Sequence, residues 1–330
     1  MIRTPNFWDD EQGAPIIERN FRFVTRDNQE EITARVRGWM DLLSIDDSTF
    51  DFDKLRATKV SEENMRIFRR DAERTYVPKD DDEIEKRTKA RQDTHVENLR
   101  LIVAEVQDYH QGLGYIAAFL GLFLDTEDVV KIALTLHRGP KYSAGYFMGA
   151  PQRFVADGKV FYKILEKKHP GMFKHLSSKG VLPEMFVVKY FVGLCLHVLP
   201  FCALFEFYEH YLTHGNEYLF KFAVKYLEIF ESELMAASST STVMTILRAE
   251  DEKADWKLPH ELLDRHHQED IFTTIVNEAD SVDLDCDLPA LRETEAKLVA
   301  AAVEAARKRD QELKDMYSDD EIVFSDEEDD

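Results

Sequence analysis

Cysteine is scarce in this chain of 330 residues, and its scarcity removes whole classes of protein. Only Cys195, Cys202 and Cys286 occur, with no CxxC pair and no regular spacing, so neither a disulfide scaffold nor a zinc ribbon is expected. A reducing compartment, the cytoplasm, suits such a chain. No basic stripe is present either: the net charge is -22, and a nucleic-acid binder needs a cationic face to displace phosphate counterions. Walker, GxGxxG and GxSxG loops are all missing, which leaves no nucleotide pocket and no serine nucleophile elbow of the chain's own. The start, MIRTPNFWDDEQG, lacks the apolar core of a secretory signal. The longest apolar run, Tyr190 to Phe205, falls short of the ~20 residues a bilayer requires and is interrupted by His197 and Pro200. Two buried helices meeting near Pro200 are expected instead.

What remains is a helical chain with a lopsided charge. Hydrophobic residues make up 44% and charged residues 32%, enough for a large interior under a soluble surface. From Glu250 onward there are 27 acidic and 9 basic residues, so residues 1–249 are nearly balanced at -4. Strand patterns are weak, and helical periodicity recurs, which predicts an irregular all-α fold. Helices are expected at Arg35–Leu43, Glu62–Thr75, Asp157–Lys167, Pro183–Leu196 and Tyr218–Met235. In Val96–Leu124 one face is apolar at first, and after Gln111 the pattern is apolar all round, as in a helix through the middle of a domain. The polar run at Ser238 reads better as a helix cap than as an interdomain linker. After Pro289 the strong helix formers predict a solvated helix, and the last twelve residues, with eight acids and no base, predict a disordered tail. The expected organisation is an N-terminal extension (1–29), a helical domain (30–280), a linker with a solvated helix (281–316) and the acidic tail (317–330).

Two short constellations bear chemistry. On a helix, Phe68, Asp71 and Arg74 fall on one side at steps of three, so Phe68 can anchor that side while Asp71 aims the Arg74 guanidinium. Taken alone, with Arg66, Arg69 and Arg70 close by, the pattern also describes an ordinary solvated face. The second is Tyr109-His110-Gln111-Gly112-Leu113. Gly112 lets another backbone or a ligand come close, which places Gln111 where a partner approaches; the alternative is a polar residue capping a buried helix.

In this order the two segments resemble the signatures of the TBC domain family of Rab GTPase activators, I-x-x-D-x-x-R and Y-x-Q-G. The resemblance begins upstream at Arg35-Val36-Arg37-Gly38-Trp39. It continues through Lys168-His169-Pro170, His175-Leu176, Val181-Leu182-Pro183, Lys189-Tyr190-Phe191, Leu199-Pro200, Phe207-Tyr208-Glu209 and Gly215, covering roughly residues 30 to 275. Phe68 stands for the usual isoleucine, Leu113 for methionine, His110 for a common cysteine, and Tyr208-Glu209 for a Trp-Asp pair. Phe68 and Leu113 are replacements a core absorbs; His110 and Tyr208-Glu209 are expected to bear on partner choice.

The resemblance implies an all-α TBC-like fold and a GTPase-activating function. Arg74 would stabilise charge on the transferring phosphoryl, and Gln111 would orient the attacking water, with Asp71, Tyr109 and Gly112 in support. The partner would be a GTP-bound Rab-type GTPase carrying its own GTP and Mg, so that no cofactor belongs to this chain and membrane association is indirect, through the partner. A non-catalytic Rab-binding adaptor of the same fold is the alternative. Two features lie outside the resemblance. His210 and His214 follow Glu206 and Glu209 at helical spacing, but no third ligand is evident, the HExxH order is absent and His266-His267 is weaker still, so no metal site is expected. Ser318 and Ser325 precede acidic runs of the kind an acid-directed kinase prefers; a tail that merely confers solubility is the alternative.

Overall fold

Helix starts are written into this sequence by small polar residues whose side chains accept the first free backbone N–H groups. Asp51 accepts from Lys54 N at 2.9 Å, Ser61 from Asn64 N at 3.2 Å, Asp125 from Asp128 N at 3.1 Å and Ser239 from Thr242 N at 3.0 Å. In the computed structural model, which describes residues 28–76, 82–149, 151–249 and 269–318, sixteen α-helices follow. They are α1 (Gln29–Arg37), α2 (Trp39–Leu42), α3 (Phe52–Ala57), α4 (Glu62–Thr75), α5 (Asp82–Val106), α6 (Gln111–Leu120), α7 (Thr126–Arg138) and α8 (Gln152–Lys168). Then come α9 (Pro170–Ser178), α10 (Val187–Phe191), α11 (Phe201–His214), α12 (Asn216–Ile229), α13 (Glu231–Ala236), α14 (Thr240–Arg248), α15 (Glu269–Ala279) and α16 (Leu288–Ser318). The described residues form no strand, as the sequence implied. The 1–29 extension and the acidic tail, with Ser325, fall almost wholly outside the described residues.

One continuous apolar core runs from Ile32 to Leu288. The short α6 lies within it and packs against α4, α5 and α7; all but Gln111 and Tyr115 of its ten residues are buried. Helix α4 has the expected limits, and Ser239 caps α14.

Four expectations are corrected. The opening helix divides at Gly38, and the Tyr218–Met235 helix divides at Phe230. The expected Pro183–Leu196 helix is a 3-10 turn (Pro183–Met185), the five-residue α10, and a compact turn in which Leu194 and Cys195 take left-handed backbone (φ 42 and 58). Both side chains are fully buried there, and that burial offsets backbone strain of ~1–3 kcal/mol per residue. Pro200 therefore caps α11 without a long helix before it. The helix after Pro289 is solvated only in its outer half: Leu288, Arg292, Glu295 and Val299 are buried against α8. Arg292 holds both oxygens of the fully buried Asp157 at 2.8 Å, Tyr146 donates to Asp157 at 2.6 Å, and Glu295 pairs with Lys163.

Tight backbone approaches fix the remaining joints. Gly215, which opens α12, has φ 74, and a Cβ there would strike the Lys141 carbonyl that accepts from Asn216 N at 2.7 Å.

Candidate functional site

The site begins with the three-residue periodicity of α4. Phe68 is fully buried and meets the Tyr109 ring edge-on, centroids 5.0 Å apart, which fixes the rotation of the helix. One turn on, Asp71 is 5% exposed and uses its oxygens separately. Oδ1 pairs with the Arg74 guanidinium, and Oδ2 accepts from the Tyr109 hydroxyl at 2.8 Å. A buried carboxylate is tolerated when its oxygens are paired and hydrogen-bonded in this way. Arg74 itself is outward, its side chain 55% exposed. Burial, reinforced by the neighbouring Asp71 charge, pushes the Tyr109 hydroxyl well above its usual range, so it remains a donor. His95 lies beneath, 2% exposed and edge-on to Tyr76; burial lowers it to about 4, against the pull of Asp71, so its ring is neutral.

Gln111 is set by the connection between α5 and α6. Gln107 leaves α5 with φ 61, and Asp108 then accepts from Tyr109 N at 2.7 Å and from Gly149 N at 2.9 Å, tying the turn to the segment after α7. His110 is the cap: its Nδ1 accepts from Gly112 N at 3.0 Å. Burial holds its imidazole below the ordinary value, which keeps that nitrogen an acceptor. Gln111 is thereby the first residue of α6, exposed, and two positions along from the tyrosine that grips Asp71. The contacts Arg74–Asp71–Tyr109 thus lead from one outward side chain to a residue two positions before the other.

Of the two close approaches expected at Gly112, another backbone or a ligand, the fold supplies the first. Gly112 is buried, and a Cβ would stand 2.6 Å from Val192 Cγ1, so what comes close is this chain's own segment after α10. Two contributors escaped the sequence reading. Asp108 pins the turn, and Gly114 leaves room for Tyr109, whose oxygen would lie 2.6 Å from a Cβ at that position. The Gly112-x-Gly114 pair at a helix start was the available signal.

The Tyr208-Glu209 pair joins the opening helices to α11, Tyr208 from within the core and Glu209 from a part-exposed position. Tyr208 is 1% exposed and stacks on Trp39 at 5.0 Å. Glu209 accepts from Arg35 Nε and Nη2 at 2.6 and 2.7 Å and from Trp39 Nε1 at 3.3 Å. That bidentate bond raises the Arg35 pKa further. His110 likewise serves the backbone.

A family model, the Rab-GTPase-TBC domain, matches residues 34–235, more than half of the sequence. The chain belongs to that family. Among curated relatives, mouse Carabin is 28% identical over 115 residues, which are 35% of this chain and 26% of Carabin. Human TBC1 domain family member 14 is 28% identical over 128 residues, 38% of this chain and 18% of that protein. This chain therefore matches only about a quarter or less of their lengths. Two solved TBC folds are similar. The Chlamydomonas flagellar RabGAP TBC domain aligns at TM-score 0.52 and 12% identity, covering 76% of this chain and 79% of that one. The Ypt/Rab-GAP domain of Gyp1p aligns at 0.50 and 13%, covering 78% and 82%. Both motifs fall within the matched TBC region. Among the described residues, no helix is long and apolar enough to cross a membrane.

Proposed function

We propose that this chain is a GTPase-activating protein for a Rab-type small GTPase and that Arg74 and Gln111 act together in the partner's nucleotide site. One observation supports this above the rest: an outward guanidinium and an exposed glutamine stand on adjoining helices, and the Asp71 that holds the guanidinium is gripped by Tyr109, two residues before that glutamine. Phosphoryl transfer needs positioning and charge stabilisation more than covalent help. A guanidinium is permanently charged and matches phosphate oxygens in pairs, while an amide can donate to one group and accept from the attacking water. Asp71 holds Arg74 at rest and yields it to the more highly charged phosphoryl group. GTP and Mg belong to the partner, and the chain reaches endomembranes through that partner, with an effect on vesicle traffic.

The test is GTP hydrolysis by a panel of Rab proteins with wild type, Arg74→Ala, Arg74→Lys and Gln111→Ala. Removing the arginine lowers the stimulated rate ~10³- to 10⁵-fold, and lysine, a point charge, does not restore it. Equal rates for wild type and both alanine variants would leave the adaptor reading.

A further inference from the structure

A second cluster lies on α11, apart from the residues used above. We infer that His210, His214 and Asp280 form a binding site for a transition-metal dication, Zn²⁺ by its donor set, that fastens α15 to α11. The sequence offered two histidines one turn apart and no third ligand. The fold supplies it, because α15 packs along α11 and delivers Asp280 just beyond its own last turn.

The geometry is close to what an ion requires. His210 Nδ1 lies 2.5 Å and His214 Nε2 3.5 Å from Asp280 Oδ2, and the three donor atoms all lie within 4.8 Å of one another. Tetrahedral zinc with bonds of ~2.0–2.2 Å sets neighbouring donors ~3.3 Å apart, between those two separations, so seating it needs adjustments of ~1 Å. The His210 ring is held in place by stacking on Tyr218 at 5.2 Å. His214 is half exposed and leaves a way in.

An independent feature adds negative charge to the same face. Glu206, one turn before His210, lines an open cleft of about 530 Å³ with both histidines. Its Oε2 is shut off from solvent with no hydrogen-bond partner among the described residues. A carboxylate oxygen buried without a hydrogen bond is costly, and a dication in the cleft would add to the relief that the Arg35 charge, on the same cleft wall, already gives. Lys221, the cation near Asp280, pairs with Glu217 at 2.9 Å and donates to the Asp280 backbone carbonyl at 3.5 Å, which leaves the Asp280 carboxylate to the histidines. Two imidazoles and one carboxylate suit zinc, with a fourth position for water; calcium and magnesium prefer oxygen alone. An ion held by both helices adds its binding free energy to the stability of the fold.

Zinc titration of the chelator-treated full chain tests this by calorimetry and thermal unfolding, in wild type, His214→Ala and Asp280→Asn. Wild type takes up zinc at one site that raises the unfolding midpoint; each variant, with helix content unchanged by circular dichroism, binds at least ~10-fold more weakly and loses the shift. No saturable uptake by wild type, or unchanged affinity in both variants, overturns the assignment.

Discussion

Asp71 has two oxygens and two distinct partners, and this division of labour is the residue-scale basis of the site. The Tyr109 hydroxyl holds one oxygen, leaving the other for Arg74. Tyr109→Phe keeps the ring packed on Phe68 but removes that hydrogen bond, so Asp71 is free to turn. The expected cost is about 1 kcal/mol of stability and, in a Rab hydrolysis assay at saturating activator, about a tenfold slower turnover. Loss of stability with unchanged turnover would show that Tyr109 supports the fold alone. The spacing of Phe68, Asp71 and Arg74 was legible in the sequence because it depends only on helical geometry. Asp108 was not, and Gly114 showed only as one of a glycine pair at a helix start. Their importance lies in what they meet, the Gly149 amide and the Tyr109 oxygen, and in a left-handed residue at Gln107 that no pattern of apolar positions reveals.

At the scale of elements, local signals set helix limits well where caps and periodicity agree, as in α4. They failed where burial overrode propensity. Residues 183–196 are apolar enough for a helix yet gain more by turning inside the core. The error in α16 is of another kind. Its Ala, Glu and Lys content describes a solvated helix, but Leu288, Arg292, Glu295 and Val299 form one buried stripe. Arg292 and Glu295 can be buried because each finds an opposite charge on α8, more than a hundred residues earlier, and composition cannot register such a pairing. Arg292→Ala leaves Asp157 buried with less compensation. It should lower stability by ~3–5 kcal/mol in urea unfolding, and the Asp157→Ala/Arg292→Ala pair should cost less than the sum of the single changes.

Across the whole molecule, the fold class and the family signatures were readable from sequence, whereas the acid sensitivity of the fold depends on burial. His95 has neither ring nitrogen hydrogen-bonded among the described residues, and burial lowers its pKa to about 4 from an ordinary 6.5. Above 6.5 it is neutral in both states and has no effect. Between 6.5 and about 4 the unfolded chain takes up a proton that the fold refuses, so stability falls through this window and the loss is complete below it. The total is roughly 3 kcal/mol. Unfolding midpoints measured from pH 7 to 4 should drop less steeply for His95→Leu than for wild type; parallel curves would assign the acid limb to other groups. The outer part of α16 has its own consequence. From Val299, the last buried side chain among those described, to the exposed Leu313 the helix runs 14 residues, ~21 Å along its axis and more than two screening lengths at physiological salt. It is an outrigger, and a dye or affinity handle mounted beside Leu313 would leave the packed body undisturbed.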